Sequence, residues 1–390
     1  MTKPLSSSGP SGHWDIFCTV IDNYGDIGVT WRLAKQLVHD FGIDVRLWVD
    51  DLKSFAHILP GLDVSLPRQE VMGVRIYHWR QPLPEQWQAG DVLIEAFACN
   101  LPVSVLEQLA DIHKPPRWLN LEYLSAEDWI ESCHGLPSLQ SNGISKHFYF
   151  PGFTPNSGGL LCEQGLFQDR DQWQRDPANR ARLLKDLNIE GVSSEDTLVS
   201  IFSYESAALL GLCQSWRQGK SRVHALIPMG RSLNSIRSLF PDDLSLVPGD
   251  SLTLDSLSIH ILPMTDQRAY DRLLWSCDFN IVRGEDSFIR AQWAAKPFIW
   301  HIYGQEDDAH LDKLSAFTSL YIDSLDSDTG QVWSKLNLAF NQEDGETTVQ
   351  MWKKLQQGHT LMDKHAVKWP MLALNYADLA TRLVQFVKKG

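Results

Sequence analysis

Short apolar runs alternate with helix-period segments along this chain, and the whole alternation occurs twice. In the first half, residues 14–21, 45–49, 74–77, 92–97 and 118–122 read as strands. Between them, 29–41, 52–58 and 102–109 read as helices, the first with Leu33, Leu37, Val38 and Phe41 on one face. The pattern restarts with strands at 197–202, 223–228, 257–262, 279–282 and 298–303, and helices at 206–217, 266–275 and 287–295. Strands that alternate with helices build parallel sheets covered on both faces. A length of 390 residues accommodates two such units. The expected fold class is therefore α/β, with two doubly wound Rossmann-like domains facing across a cleft. Residues 1–12, rich in Ser, Gly and Pro and without an apolar core, read as a disordered tail and not a signal peptide. Residues 13–165 form the first domain in this reading and 166–369 the second. A final helix, at about 373–387 within a C-terminal segment of about 370–390, packs back on the first domain. Residues 135–165, rich in Gly, Pro, Ser and Asn, read as irregular, and 170–187 as one polar helical stretch.

Composition narrows the function classes. A formal net charge of −13 argues against a general nucleic-acid binder and against docking on anionic membranes, and it permits a basic partner or a local basic patch on one. The six cysteines, at 18, 99, 133, 162, 213 and 277, form no CxxC pair and no Cys/His cluster with zinc spacing. A reduced, cytoplasmic protein without a metal site is expected. No apolar stretch approaches the length of a membrane span.

Two segments concentrate chemistry. Asp22-Asn23-Tyr24-Gly25-Asp26-Ile27-Gly28 lies between a strand and a helix, where open α/β sheets bind ligands. Its carboxylates either act on a substrate or cap the helix. Arg283-Gly284-Glu285-Asp286-Ser287 follows another strand and opens another helix, whose free N–H groups suit a diphosphate. Arg283 adds a cation and Ser287 a hydroxyl. Glu285 and Asp286 either cap that helix or face a sugar or a cationic acceptor. His301, in an apolar run, reads as a structural histidine. Glu122 and Tyr123 fit acceptor contact and core packing equally, and 138–159 fits an acceptor-shaping loop or a plain linker.

Five segments occur together in one order. They are 20–28 with Trp31-Arg32-Leu33, Glu95-Ala96-Phe97-Ala98-Cys99, Leu121-Glu122-Tyr123-Leu124-Ser125-Ala126-Glu127, Arg283-Gly284-Glu285-Asp286-Ser287-Phe288 and Trp300-His301-Ile302-Tyr303. From about residue 14 to the C-terminus the chain resembles the EarP family, bacterial protein-arginine rhamnosyltransferases that act on translation elongation factor P. The resemblance implies a GT-B fold and an inverting enzyme. Its donor is dTDP-β-L-rhamnose, its acceptor an arginine side chain of elongation factor P, and it needs no cofactor or metal. Asp26 matches the family's proposed general base, Asp22 its second essential aspartate, and Glu285 its catalytic glutamate. Tyr204, Gln267, Arg283, Asp286, Ser287 and Tyr303 match positions around the nucleotide, and Asn23, Tyr24 and Gly25 join them. In Leu262-Pro263-Met264 the chain departs from the family, which usually has an aromatic after the proline. Thymine is then covered by Met264, a soft apolar surface, or stacked on Phe202 or Tyr204.

The implied chemistry agrees with the residue types. A guanidinium is protonated, delocalised and a poor nucleophile. Glycosylating it requires carboxylates that orient the fork and one that accepts a proton. Inversion places that base on the domain opposite the diphosphate. The alternatives are another GT-B nucleotide-sugar transferase or an epimerase with a different acceptor, and a non-catalytic binding module. Acids spread over both domains argue against the last, because binding alone needs no positioned base.

Overall fold

A computed structural model describes residues 12–21, 24–79, 83, 87–241 and 244–389. The expected tail, Gly12 apart, lies outside the described residues, as do Asp22 and Asn23. The first sheet contains β1 (His13–Cys18), β2 (Asp44–Val49), β3 (Arg68–Val71), β4 (Val74–His78), β5 (Val92–Ala96), β6 (Arg117–Leu121), β7 (Pro137–Leu139) and β8 (Ser145–Tyr149). Their order across the sheet is β3-β4-β2-β1-β5-β6-β8-β7. The second sheet contains β9 (Thr197–Ile201), β10 (Val223–Pro228), β11 (Ser251–Leu254), β12 (Leu257–Leu262), β13 (Phe279–Arg283) and β14 (Phe298–His301), ordered β11-β12-β10-β9-β13-β14.

Among the described strands, only the edge hairpins β3–β4, β7–β8 and β11–β12 pair antiparallel. The remaining strands are parallel and doubly wound, and both sheets reverse strand order beside their first strand. Those switch points lie between β1 and β5 and between β9 and β13. Ligands bind at such points, outside the carboxyl ends of the strands. Both acidic segments of the sequence fall there.

The central strands are buried on both faces, so they read as continuous apolar runs. The exception on β1 is Asp15, fully buried and satisfied by a bidentate Arg46 at 2.7 and 2.6 Å and by the Trp48 indole at 2.8 Å. Most tryptophans serve packing; Trp129 is the one with large exposure among the described residues.

Three sequence expectations need correction. Residues 135–165 are not irregular throughout, because β7 and β8 form a hairpin that extends the first sheet, with Asn142 closing its turn. Both strands of this hairpin at the sheet edge are part-exposed and carry polar residues, and so lack an apolar signal. The stretch 170–187 is two helices, Leu166–Arg175 and Pro177–Asp186, broken where Asp176 caps a helix opened by Pro177. The C-terminal helix starts at Leu379, after a separate helix ends at Ala373. Leu379, Ala380, Leu383 and Val384 pack in the core of the first sheet, whereas Trp369 and Ala373 belong to the core of the second.

The domains meet along α1 (Gly25–Phe41), the helix that follows β1. Gly28 of α1 lies so close to the second domain that a Cβ there would stand 3.2 Å from the Asp286 side chain. One turn further, Arg32 donates to Asp286 at 2.6 Å and to Asp271 at 3.0 and 3.1 Å. Arg290 grips the same Asp271 at 2.9 and 2.7 Å, and it also bonds Glu163 at 2.5 Å. Burial opposes charge on Glu163, but Arg290 and Arg32 outweigh it and hold the carboxyl down at about 2. Lys35, pushed down to about 8 by burial and by Arg32, donates to Gln267, whose own amide donates to the Gly28 carbonyl. Removing one partner from a buried charge cluster strands the others. Asp271→Ala is expected to cost about 3–5 kcal/mol of stability, read as a lower urea midpoint.

Candidate active site

The chain leaves β1 and turns into α1 through a loop pinned by carboxylates. The Val20 amide donates to Asp50 at 2.9 Å, and the Ile21 amide to Asp26 Oδ2 at 2.9 Å. Asp26 is 3% exposed. It sits in the first turn of α1, but its Oδ2 turns back to hold the loop. Its Oδ1 faces the Tyr123 hydroxyl at 3.4 Å. Tyr123, just past β6, stacks on Phe97 at 4.7 Å and 17°. Phe97 and Ala98 follow β5 with φ of 57° and 52°, a conformation side chains disfavour and one often found at functional sites.

On the other domain, β13 ends at Arg283 and Gly284 turns the chain with φ 59°. Glu285 and the helix Asp286–Trp293 follow. Both acids reach across the cleft. Glu285 accepts from the Leu124 amide at 3.1 Å and from Lys313 Nζ at 3.0 Å, and Asp286 bonds Arg32. Glu285 makes no cap bond to its own helix. Burial raises its pKa; Lys313 opposes the rise and Asp26 adds to it.

Arg283 is buried, with its guanidinium over Phe202 at 4.6 Å, Tyr204 at 4.8 Å and Tyr24 at 5.9 Å. Among the described residues it has no carboxylate partner. The other buried arginines, Arg32, Arg46, Arg170 and Arg290, each have one. A buried guanidinium without an anion marks a place where an anion binds.

Two cavities flank this turn. The first, of about 120 Å³, is lined by Tyr24, Gly25, Phe202, Met264, Gln267, Tyr270, Arg283, Asp286 and Ser287, with an apolar wall of Ile58, Leu183, Leu187, Leu262 and Leu273. The second, of about 150 Å³, is lined by Gly25, Asp26, Phe97, Tyr123, Gly284, Glu285, Tyr303 and Lys313, among others. Gly25 and Gly284 line both, so the cavities adjoin there.

Most of the sequence-derived residues converge on this pair of cavities. Phe202 and Met264 share the first, where Tyr270 meets Phe202 edge-on at 5.9 Å. Gln267 lines it while bonding Gly28 and Lys35 of the opposite domain. Tyr204 supports Arg283 from beneath and meets Tyr303 edge-on at 5.6 Å, and Tyr303 opens into the second cavity. His301 is buried and pushed down to about 3 by burial and then by Arg283, which keeps it neutral. Tyr123, an open choice in the sequence, lines the acidic cavity.

Sequence reasoning missed Lys313, Tyr270 and the bridging role of Arg32. Their helices carry only ordinary amphipathic patterns, and their partners are distant in sequence. Among the described residues no cluster of His, Cys, Asp or Glu is arranged for a metal ion, and no helix is long and apolar enough to cross a membrane.

Residues 14–388 match the family model described as elongation-factor P (EF-P) rhamnosyltransferase EarP. The chain belongs to the EarP family. A protein-arginine rhamnosyltransferase of Shewanella oneidensis is 57% identical, over 99% of this chain and all of that protein. A solved structure, reported as the structural basis for EarP-mediated arginine glycosylation of translation elongation factor EF-P, is 32% identical with a TM-score of 0.69. It covers 97% of this chain and 99% of that one. The spinosyn rhamnosyltransferase SpnG, solved with thymidine diphosphate, shares the fold at a TM-score of 0.52 and 12% identity, over 96% of this chain and 100% of its own. The fold of this EarP-family chain is thus GT-B.

Loss of the Arg283 guanidinium tests whether this turn binds anions. Arg283→Ala is expected to weaken binding of inorganic pyrophosphate about 100-fold by calorimetry, the scale of one or two hydrogen bonds to a charged group.

Proposed function

We propose that this protein transfers rhamnose from dTDP-β-L-rhamnose, with inversion, to an arginine side chain of translation elongation factor P, activating that factor. Family membership supports the reaction class. The observation that carries the reading is the meeting of an anion-seeking cavity and an acid-walled cavity at Gly25 and Gly284.

The donor diphosphate binds Arg283, Ser287 and the free N–H groups that open the Asp286–Trp293 helix. One face of Phe202 already carries Arg283, so thymine stacks on its other face with Met264 across the same cavity. The acceptor guanidinium enters the second cavity between Asp26 and Glu285, over the Tyr123–Phe97 pair. A guanidinium nitrogen attacks the anomeric carbon as the bond to the diphosphate oxygen breaks, and Asp26 Oδ1 takes the nitrogen's proton. Its Oδ2 is occupied by the Ile21 amide, which fixes the direction in which Oδ1 points. Glu285 holds the cation in register. Asp22 is assigned to the same guanidinium, and Asn23, Tyr24 and Gly25 to the donor, on their match to the family. The charge on the leaving diphosphate is met by protein groups, so the reaction needs no metal. Six unpaired cysteines, five of them buried, accord with a reducing cytoplasm.

Incubating the protein with dTDP-β-L-rhamnose and elongation factor P should add one deoxyhexose to a single arginine by intact-mass and peptide analysis. Donor turnover without acceptor would favour an epimerase; acceptor binding without mass gain would favour a binding module. Asp26→Asn keeps an acceptor for the Ile21 amide but removes the base. It should lower the transfer rate by about 10²–10⁴-fold with dTDP affinity retained. A variant that still modifies its acceptor at the normal rate would refute the assignment of the base.

A further inference from the structure

The acid-walled cavity already contains a cation of the protein's own. Lys313 projects from the helix Ala309–Ile322, places its ammonium 3.0 Å from Glu285 Oε1, and lies 5.6 Å over the Tyr123 ring. Both side chains of the pair are largely buried, 16% and 14% exposed. A carboxylate beside an aromatic face is what recognises a cation in general. The ammonium engages both parts at once.

We propose that Lys313 is an internal stand-in for the acceptor, and that an acceptor guanidinium binds by displacing its ammonium from Glu285 and the Tyr123 face. The proposal rests on the reading that this cavity takes a guanidinium. Its physical basis is charge balance. Glu285 is faced by Asp26 from α1, by Tyr123 and the more distant Glu122 after β6, and by the Leu124 amide; its neighbour Asp286 is turned away to Arg32. Of these groups Lys313 alone supplies positive charge to Glu285 through an ion pair. Without it, an empty cavity would hold two neighbouring buried carboxylates, and one would take up a proton. With it, Glu285 stays ionised and aimed until the acceptor arrives. A guanidinium displaces an ammonium here for definite reasons. It is planar, matches a carboxylate with two parallel hydrogen bonds, stacks on Tyr123, and sheds water more readily. The flexible lysine stem allows the ammonium to swing aside.

Two substitutions should move acceptor affinity in opposite directions. Lys313→Met removes the competitor. At about pH 8, well above ordinary carboxylate titration, methylguanidinium and elongation factor P should each bind about tenfold tighter by calorimetry. That advantage should fade as pH falls, because Glu285 then protonates without an ammonium to oppose it. Lys313→Arg fills the subsite with a better-matched cation and should weaken both ligands. Affinity for dTDP should be unchanged in both variants, which also reports that each is folded. A merely structural lysine predicts weaker binding in both variants, or no change, and either result overturns the proposal. If the wild-type protein binds neither methylguanidinium nor elongation factor P, the acceptor-cavity reading fails first and this proposal falls with it.

Discussion

The buried charge cluster around Arg32 fixes how the two halves of this active site face each other. Networks of this kind contribute little net stability compared with apolar packing, because desolvation offsets the attraction. What this one supplies is registry. Arg32 lies six residues after Asp26 on the same helix, about 9 Å along its axis. On the opposite side, Asp286 directly follows Glu285 and Asp271 lies on the helix Gln267–Ser276. The contact that locks the domains is thus one residue from Glu285 and less than two helical turns from Asp26, the proposed base. Gly28 permits this closeness by presenting no Cβ to Asp286.

The segment from Arg283 to Ser287 serves three partners in five residues. Arg283 and Ser287 line the first cavity and Glu285 the second, while Asp286, also at the first, is held by Arg32 at the domain contact. A strand end, a left-handed glycine and a helix start have different side-chain directions, so neighbours in sequence diverge in space. Each acid beside the proposed diphosphate site is met by a cation, Asp286 by Arg32 and Glu285 by Lys313. Neither acid's side-chain hydrogen bonds lead back to its own helix; Glu285 crosses the cleft to the Leu124 amide and Asp286 to Arg32, while Lys313 and Gln267 hold them from within the second domain.

What could be read from the sequence follows from what leaves a local trace. Central parallel strands such as β1 and β13 are buried on both faces and appear as apolar runs, so both sheets were legible. The edge strand β7 and its neighbour β8 are part-exposed and largely polar, so their sequence resembles loop. Asp26 and the Arg283–Ser287 turn were legible because acids and glycines at strand ends are rare enough to notice. The bland alternative of helix capping fell only when the partners were visible. Lys313, Tyr270 and the Arg32–Asp271 pair depend on residues far away in the chain and leave no local signature. The motif that contained Arg32 carried its identity but not its role.

The boundary between the cavities sets the geometry of any reaction here. Gly25 and Gly284 form its shared lining, and Gly284 has a φ that a side chain would strain. Neither residue puts a side chain into that shared lining. An anionic leaving group is drawn to Arg283 on one side, while a cationic nucleophile is drawn to Asp26 and Glu285 on the other. The atom that changes partners must lie between them, with attack and departure on opposed directions. In the proposed reaction, opposite charge on the two sides of a glycine boundary favours in-line displacement, the geometry that inversion requires.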